Sequence, residues 1–175
     1  MGTTIAFTVY GTAQSRGSKT PWNPRRKDGS LVLRADGRPV IATMDDNKKS
    51  KNWMAEVRAA AAGAFSGELL TGPIELTCAF YFARPTSHYG TGRNSGHLKA
   101  SAPIDHTQKP DLSKITRAVE DAMTKVIWRD DSQVNRYGHG HGKHWTFEQS
   151  RVEIKICCNY ASTARHETSA CPAAD

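Results

Sequence analysis

The stretch that decides the fold covers residues 109–134 and reads KPDLSKITRAVEDAMTKVIWRDDSQV. Its apolar side chains recur every three or four residues, which is the spacing of one face of an α-helix. The sequence therefore predicts a helix over 112–125 whose apolar face lies in a core. The residues of its opposite, polar face are Ser113, Arg117, Glu120, Asp121 and Thr124.

Three segments outside this stretch alternate polar and apolar residues, which is the two-residue period of a half-buried strand. They are Thr3–Tyr10, Ile74–Phe82 and Arg151–Cys157. A second helix is predicted over Lys48–Phe65, and a turn and a strand are expected within Ile127–Tyr137. This order of elements predicts an α+β fold in which a mixed β-sheet is covered by two main helices.

Two long segments lack this patterning. Residues 11–47 are rich in basic residues, glycine and proline, and we interpret them as a basic ribbon or loop with a turn at Asp36 and Gly37. Residues 85–110 show no periodicity and are expected to form a mobile arm, because loops of this length are usually functional or disordered. The chain is interpreted as one domain over 1–158, followed by a disordered tail over 159–175.

The composition favours a polyanionic partner. Lys and Arg number 24 against 17 Asp and Glu, which gives a net charge of +7, so nucleic acid or an anionic membrane surface is indicated. No run reaches the roughly 18 apolar residues of a membrane helix, and the N-terminus lacks a secretory signal. We therefore expect a soluble, cytoplasmic protein without a membrane partner. The four cysteines form no CxxC pair and are expected to be free thiols in a reducing compartment.

Acidic residues lie on both sides of the predicted helix. Asp111 directly precedes it, where a carboxylate is often a structural cap, and the adjacent Asp130 and Asp131 follow it. Adjacent carboxylates repel each other, so either a surface turn or a hard cation such as Mg²⁺ would explain them. The helix is roughly 20 Å long. The few residues between the end of the helix and Asp131 could bring its carboxylate back to Asp111 only if they were almost fully extended. A site near Arg117 and Asp121, or a site completed by a second subunit, would need less extension.

The two halves of this stretch together resemble the signature of the RusA family of Holliday junction resolvases. The family pattern is KPDxDNLxK, a helix containing DAL, and DDxQV, and the match covers residues 109–135. The resemblance implies a homodimeric endonuclease that depends on Mg²⁺, with Mn²⁺ as a substitute, and cuts four-way DNA junctions symmetrically. Such enzymes are commonly encoded by phages or prophages.

The resemblance also implies roles for individual residues. Asp111 matches the first acidic ligand of the family and Asp131 the second aspartate of the DD pair, with Asp130 beside it. We therefore expect these three carboxylates to bind Mg²⁺. Arg117 stands where the family has its catalytic lysine, so the expected catalytic residues are Asp111, Asp131 and Arg117.

Two positions depart from the family pattern. Ser113 replaces an acidic residue, which removes one negative charge from the expected metal site. Arg117 can hold a phosphate, but an arginine stays protonated and does not transfer a proton. Three outcomes are open: Asp121 or Glu120 compensates as a further carboxylate, metal affinity is weaker, or the protein binds DNA without cutting it.

Basic residues of the ribbon and around Asp111 are expected to contact DNA phosphates, with Trp22 available for stacking. They are Arg16, Lys19, Arg25, Arg26, Lys27, Lys109 and Lys114. The run with His139, His141 and His144 is interpreted as a DNA-facing loop, since no cysteine or acidic residue within it completes a zinc site.

Three functional hypotheses follow from the sequence. The leading one is a structure-selective DNA endonuclease that resolves four-way junctions. The second is a non-catalytic protein that binds branched DNA with a degenerate resolvase site. The third, a zinc-binding regulator, depends entirely on the histidine run.

Overall fold

The computed structural model describes residues 2–16, 19–45 and 48–158. The predicted disordered tail, 159–175, lies outside these residues. In chain order the helices and strands are β1 (Thr3–Tyr10), β2 (Lys19–Trp22), β3 (Ala42–Asp45), α1 (Lys48–Ala64), β4 (Ile74–Ala83), α2 (Leu112–Met123), β5 (Val134–Tyr137), β6 (Gly142–Thr146) and β7 (Arg151–Cys158).

Five of the strands form one mixed sheet. β7 lies between β1 and β4 and runs antiparallel to both. β5 and β6 pair with the other edge of β4 and run parallel to it. β2 and β3 form a separate antiparallel pair. The predicted α+β fold, with a mixed sheet and two main helices, is confirmed.

The apolar periodicity of the helices corresponds to burial in the core. Trp53 and Val57 of α1 and Ile115 and Val119 of α2 are buried in one cluster with alternate residues of β4, such as Phe80. Burial of side chains of this size stabilises a fold by roughly 1.5–3 kcal/mol each. The packing leaves the polar side of α2 free to form a site.

Helix α2 ends at Met123, two residues before the predicted end. Thr124 leaves the helical conformation, and both its backbone N–H and its hydroxyl donate to the Glu120 carbonyl. Lys125 has a positive φ of 63°, which stops a right-handed helix. The chain then turns so that Trp128 is fully buried and its indole N–H donates to the Thr124 hydroxyl at 3.3 Å.

Strand β6 was not predicted, because its residues belong to the histidine run that was interpreted as a loop. β5 pairs with the first part of β4 and β6 with the last part, and the link between them spans 138–141. In this gap the Cys78 backbone N–H donates to Nδ1 of His141 at 3.1 Å. The side chain replaces a sheet hydrogen bond that a buried N–H requires. Gly138 also contributes, because a Cβ there would clash with the Thr77 hydroxyl.

The segment 85–110 contains two short 3₁₀ turns, Thr86–His88 and Gly92–Asn94. His106 is buried between Phe82 and Trp145, with ring centroids 4.3 and 4.2 Å away. The Trp145 indole N–H donates to the Asp105 carbonyl at 3.1 Å. The segment therefore packs on the end of the sheet, while its mobility stays a prediction.

The sequence also predicted that the chain has no membrane-spanning helix and that its cysteines are free thiols. None of the helices within the described residues has the length and apolar character of a membrane span. Cys78, Cys157 and Cys158 are free thiols, as predicted, and Cys171 lies outside the described residues.

Candidate functional site

The polar residues of α2 face two different neighbours. Asp121 forms an ion pair with the guanidinium of Arg16, and both side chains are partly buried. The Arg16 backbone N–H also donates to the Lys114 carbonyl at 3.4 Å. Glu120 instead faces β5, where the Tyr137 hydroxyl donates to its Oε1 at 2.9 Å. The two adjacent carboxylates therefore belong to different surroundings.

The two aspartates after α2 also differ in their contacts. Asp130 accepts the Ser132 backbone N–H at 2.9 Å and forms a capping box with Gln133 at the 3₁₀ turn Asp131–Gln133. Gln133 in turn donates to the Leu70 carbonyl at 2.9 Å. Hydrogen bonds from Ser132 hold the pKa of Asp130 below its usual range. Asp130 and Gln133 thus explain the turn, and Asp131 is left exposed.

Glu120, Asp131 and Arg117 form the charged centre of the polar face. Burial raises the pKa of Glu120, the Tyr137 hydrogen bond opposes that rise, the Asp131 carboxylate adds to it, and the Arg117 cation lowers it. Burial, together with the contact to Glu120, raises the pKa of Tyr137 to about 12. Tyr137 therefore remains a hydrogen-bond donor at neutral pH. The Asp131 carboxylate is therefore within electrostatic range of Glu120, in the C-terminal half of α2.

Asp111 lies at the N-cap position of α2, but its side chain makes no capping hydrogen bond. The carboxylate is exposed, and its Oδ2 lies 3.3 Å from Nζ of Lys114. The loop before it is held by Lys143 of β6, whose ammonium donates to the carbonyls of Gln108 at 2.6 Å and Pro110 at 3.0 Å. The Asp111 carboxylate is thus exposed to solvent, while the Lys143 ammonium fixes the backbone of the loop that carries it.

The predicted metal ligands Asp111, Asp130 and Asp131 are not brought into one group. Within residues 2–16, 19–45 and 48–158, no three His, Cys, Asp or Glu side chains converge on a potential metal position. The Asp131 carboxylate is nevertheless close enough to Glu120 to raise its pKa, so two carboxylates share this region. Mg²⁺ is often held by one or two carboxylates together with substrate phosphate oxygens. The oxygen donors present therefore suit the chemistry of this ion.

In the histidine run, His141 forms hydrogen bonds within the protein and is not arranged as the zinc hypothesis requires. Nδ1 of His141 accepts from Cys78, so its Nε2 carries the proton and donates to the Thr116 hydroxyl at 3.2 Å. Both ring nitrogens are thus engaged within the protein. The ring stacks on Tyr137 with centroids 4.3 Å apart, and burial lowers the pKa of His141.

The predicted DNA-binding residues fall into separate places. Arg25, Arg26 and Lys27 are exposed in the ribbon, and the Arg25 guanidinium donates to the Gly29 carbonyl at 2.8 Å. Lys109 and Lys114 are exposed beside Asp111. Lys19 begins β2, and the charge of Arg16 is already matched by Asp121.

The sequence analysis missed Tyr137, Lys143 and the structural role of His141. Tyr137 lies three residues after the start of β5, so its position next to the DDxQV-like run was the available signal. Lys143 and His141 act through backbone groups distant in sequence. No local pattern could have indicated those contacts.

Comparison with known proteins places this site in a family. A family model described as endodeoxyribonuclease RusA matches residues 22–157, which is most of the chain and includes both halves of the motif. The chain belongs to the RusA family of endodeoxyribonucleases. It is also 28% identical over 152 residues to the uncharacterized protein YqaN of Bacillus subtilis (strain 168), an alignment that covers 87% of this chain and 94% of that protein.

Proposed function

We propose that this protein is a structure-selective endonuclease that resolves four-way DNA junctions by Mg²⁺-dependent hydrolysis of phosphodiester bonds. The observation that carries the proposal is that the two adjacent aspartates of the motif have different contacts. Asp130 and Gln133 shape the turn, and Asp131 is left exposed beside Glu120 and Arg117. Family membership supplies the nuclease class.

The side chains have distinct roles in this proposal. Asp131 and Glu120 would hold Mg²⁺, which activates water and offsets charge on the scissile phosphate, and Asp111 would join them only when DNA or a second subunit brings its carboxylate to the ion. Arg117 holds a phosphate oxygen as a permanent cation. Asp130 contributes by fixing the turn that presents Asp131, so its predicted role as a ligand is secondary.

Glu120 is the carboxylate that compensates for Ser113. It shares the polar side of α2 with Arg117 and interacts with Asp131, whereas Asp121 is engaged by Arg16. Tyr137 orients the Glu120 carboxylate through its hydroxyl. Groups that orient a metal ligand commonly affect metal affinity or activity by about 10- to 100-fold.

A homodimer is part of the proposal, because a four-way junction presents two equivalent strands and a two-fold assembly matches that symmetry. Sedimentation at micromolar concentration should give about twice the 19.2 kDa mass of one chain. A monomer, both with and without DNA, would contradict symmetric resolution.

The deciding experiment compares cleavage of a labelled four-way junction with cleavage of linear duplex, with and without Mg²⁺ or Mn²⁺. The expected result is paired, metal-dependent cuts in the junction only. Binding to junctions without cleavage, combined with cleavage by the Ser113→Asp variant, would instead favour the non-catalytic branched-DNA-binding protein.

A further inference from the structure

The centre of the ribbon is a small three-segment meander. Bridges join Arg25 to Leu31 and Leu33 to Pro39, both antiparallel. The Val32 N–H donates to the Pro24 carbonyl at 3.0 Å, and the Val40 N–H donates to the Val32 carbonyl at 2.8 Å. The segments therefore alternate their side chains between two faces, as strands do.

One of these faces carries four apolar side chains and is open to solvent, with Arg25 at its edge opposite Leu31. The bridge between Leu33 and Pro39 places Leu31 opposite Ile41 in the same register, so all four side chains lie on one face. Leu33 is 50% exposed and Ile41 59% exposed. We call these four residues the apolar ribbon face. Clustered exposed apolar side chains of this kind mark interaction sites more often than isolated ones do.

Arg34 and Arg38 lie at the hairpin turn, where strand alternation places them on the face opposite Leu33 and Pro39. The Arg34 N–H donates to the Arg38 carbonyl at 2.8 Å, which holds the two residues opposite each other. A hollow of about 390 Å³ lies beside them, and its lining residues are Asn23, Arg34, Arg38, Pro39 and Ile41. Guanidinium groups, an amide and apolar walls thus meet in one concave surface.

The charge of the ribbon argues for DNA and against a second copy of the chain. Residues 19–45 contain six basic and three acidic residues. Two of the acidic side chains are used in turns: Asp28 accepts from Ser30 and Asp36 accepts the Arg38 N–H. Two such ribbons would repel each other, whereas a polyanion would be attracted.

We propose that the apolar ribbon face binds unstacked bases at the branch point of DNA, while Arg34 and Arg38 hold the adjacent phosphates. Branched DNA exposes base faces that intact duplex does not, and exposed aliphatic side chains can insert between unstacked base steps. Guanidinium planes can also stack on bases. This inference rests on the proposed function and assigns the selectivity for branched DNA to a surface separate from the cleavage site.

The test uses the full chain and a four-way junction carrying 2-aminopurine next to the branch point. The Leu33→Ala/Ile41→Ala variant should lose the fluorescence change and about tenfold of its preference for junction over linear duplex, because it removes the aliphatic side chains that contact the unstacked bases. Its salt dependence should stay unchanged, because no charge is removed.

Two control variants sharpen this experiment. Ile104→Ala truncates another exposed aliphatic residue, 86% exposed and outside the ribbon, and should behave as the wild type. The Arg25→Gln/Arg26→Gln/Lys27→Gln variant should weaken binding to both DNAs alike and flatten the salt dependence.

The outcomes separate this inference from the proposed function. Wild-type selectivity that survives in the Leu33→Ala/Ile41→Ala variant would overturn the role of the apolar ribbon face and leave the proposed function intact. A wild-type protein that binds junction and duplex equally would overturn both. A change in sedimentation of the variant without DNA would show that the face joins copies of the chain, which also overturns it.

Discussion

The two sides of helix α2 place two adjacent acidic residues, Glu120 and Asp121, in different surroundings. Glu120 is directed towards β5, with Tyr137, Asp131 and Arg117 around it. Asp121, the next residue, forms an ion pair with Arg16 in the segment after β1. Successive helical residues are about 100° apart, so the polar stripe of the sequence divides between a side that faces Tyr137 and a side that faces Arg16.

The largest effect is expected when the charge of Asp131 is removed. The Asp131→Asn variant should lose cleavage by about a thousandfold or more, because several kcal/mol of metal-dependent stabilisation of the transition state would be lost. Junction binding should persist or tighten, since the substitution removes a negative charge near DNA. Single-turnover cleavage and binding titrations measure the two effects separately.

Asp130→Asn is the matched control for that variant. An asparagine can still accept the Ser132 N–H and cap the turn, so most of the activity should remain. Equal losses in both variants would contradict the division of labour between the two aspartates.

The next largest effect compares the two sides of α2 directly. Glu120→Gln should reduce cleavage by about 10- to 100-fold and raise the Mg²⁺ concentration for half-maximal rate, because it removes a charge beside Asp131. Asp121→Asn should leave that Mg²⁺ concentration unchanged and lower the free energy of unfolding by about 1–2 kcal/mol, since Arg16 loses a partly buried partner. Metal titrations and chemical denaturation distinguish the two. Exchanged phenotypes would assign the compensating carboxylate to Asp121.

The sequence predicted what depends on local periodicity. The bounds of β1 and the burial of Ile115 and Val119 follow from repeats of two and of three to four residues, and the structure confirms them. Strand β6 has only five residues and contains glycine and histidine, so it shows no such repeat. The residues that contact the polar side of α2 could not be predicted from the sequence either, because they come from distant segments that long-range packing brings to the helix.

A smaller effect is expected from the anchor of the loop that carries Asp111. Lys143→Met removes the donor shared by the Gln108 and Pro110 carbonyls, so Asp111 should lose its fixed position and kcat should fall by about tenfold. Lys143→Arg keeps a donor and should recover part of the rate. Both variants should bind junction DNA like the wild type in a gel-shift titration. A loss of binding equal to the loss of kcat would give Lys143 a direct contact with DNA instead.

The smallest effect concerns His141, a partly buried histidine that links β4 to α2 and stacks on Tyr137. Burial lowers the pKa of His141 in the folded protein, so the unfolded chain, in which a histidine has a pKa of about 6.5, takes up the proton first as pH falls. The unfolded state then binds more protons, and the contribution of His141 to stability is present above that pH and decreases below it. His141→Gln keeps an acceptor for Cys78 and a donor for Thr116 without a titrating ring. It should therefore cost about 1 kcal/mol at pH 8 and flatten the decline in stability between about pH 7 and 5. His139→Gln, at an exposed position, should retain the wild-type profile, and an unchanged slope in His141→Gln would show that this ring is not the source of the pH dependence.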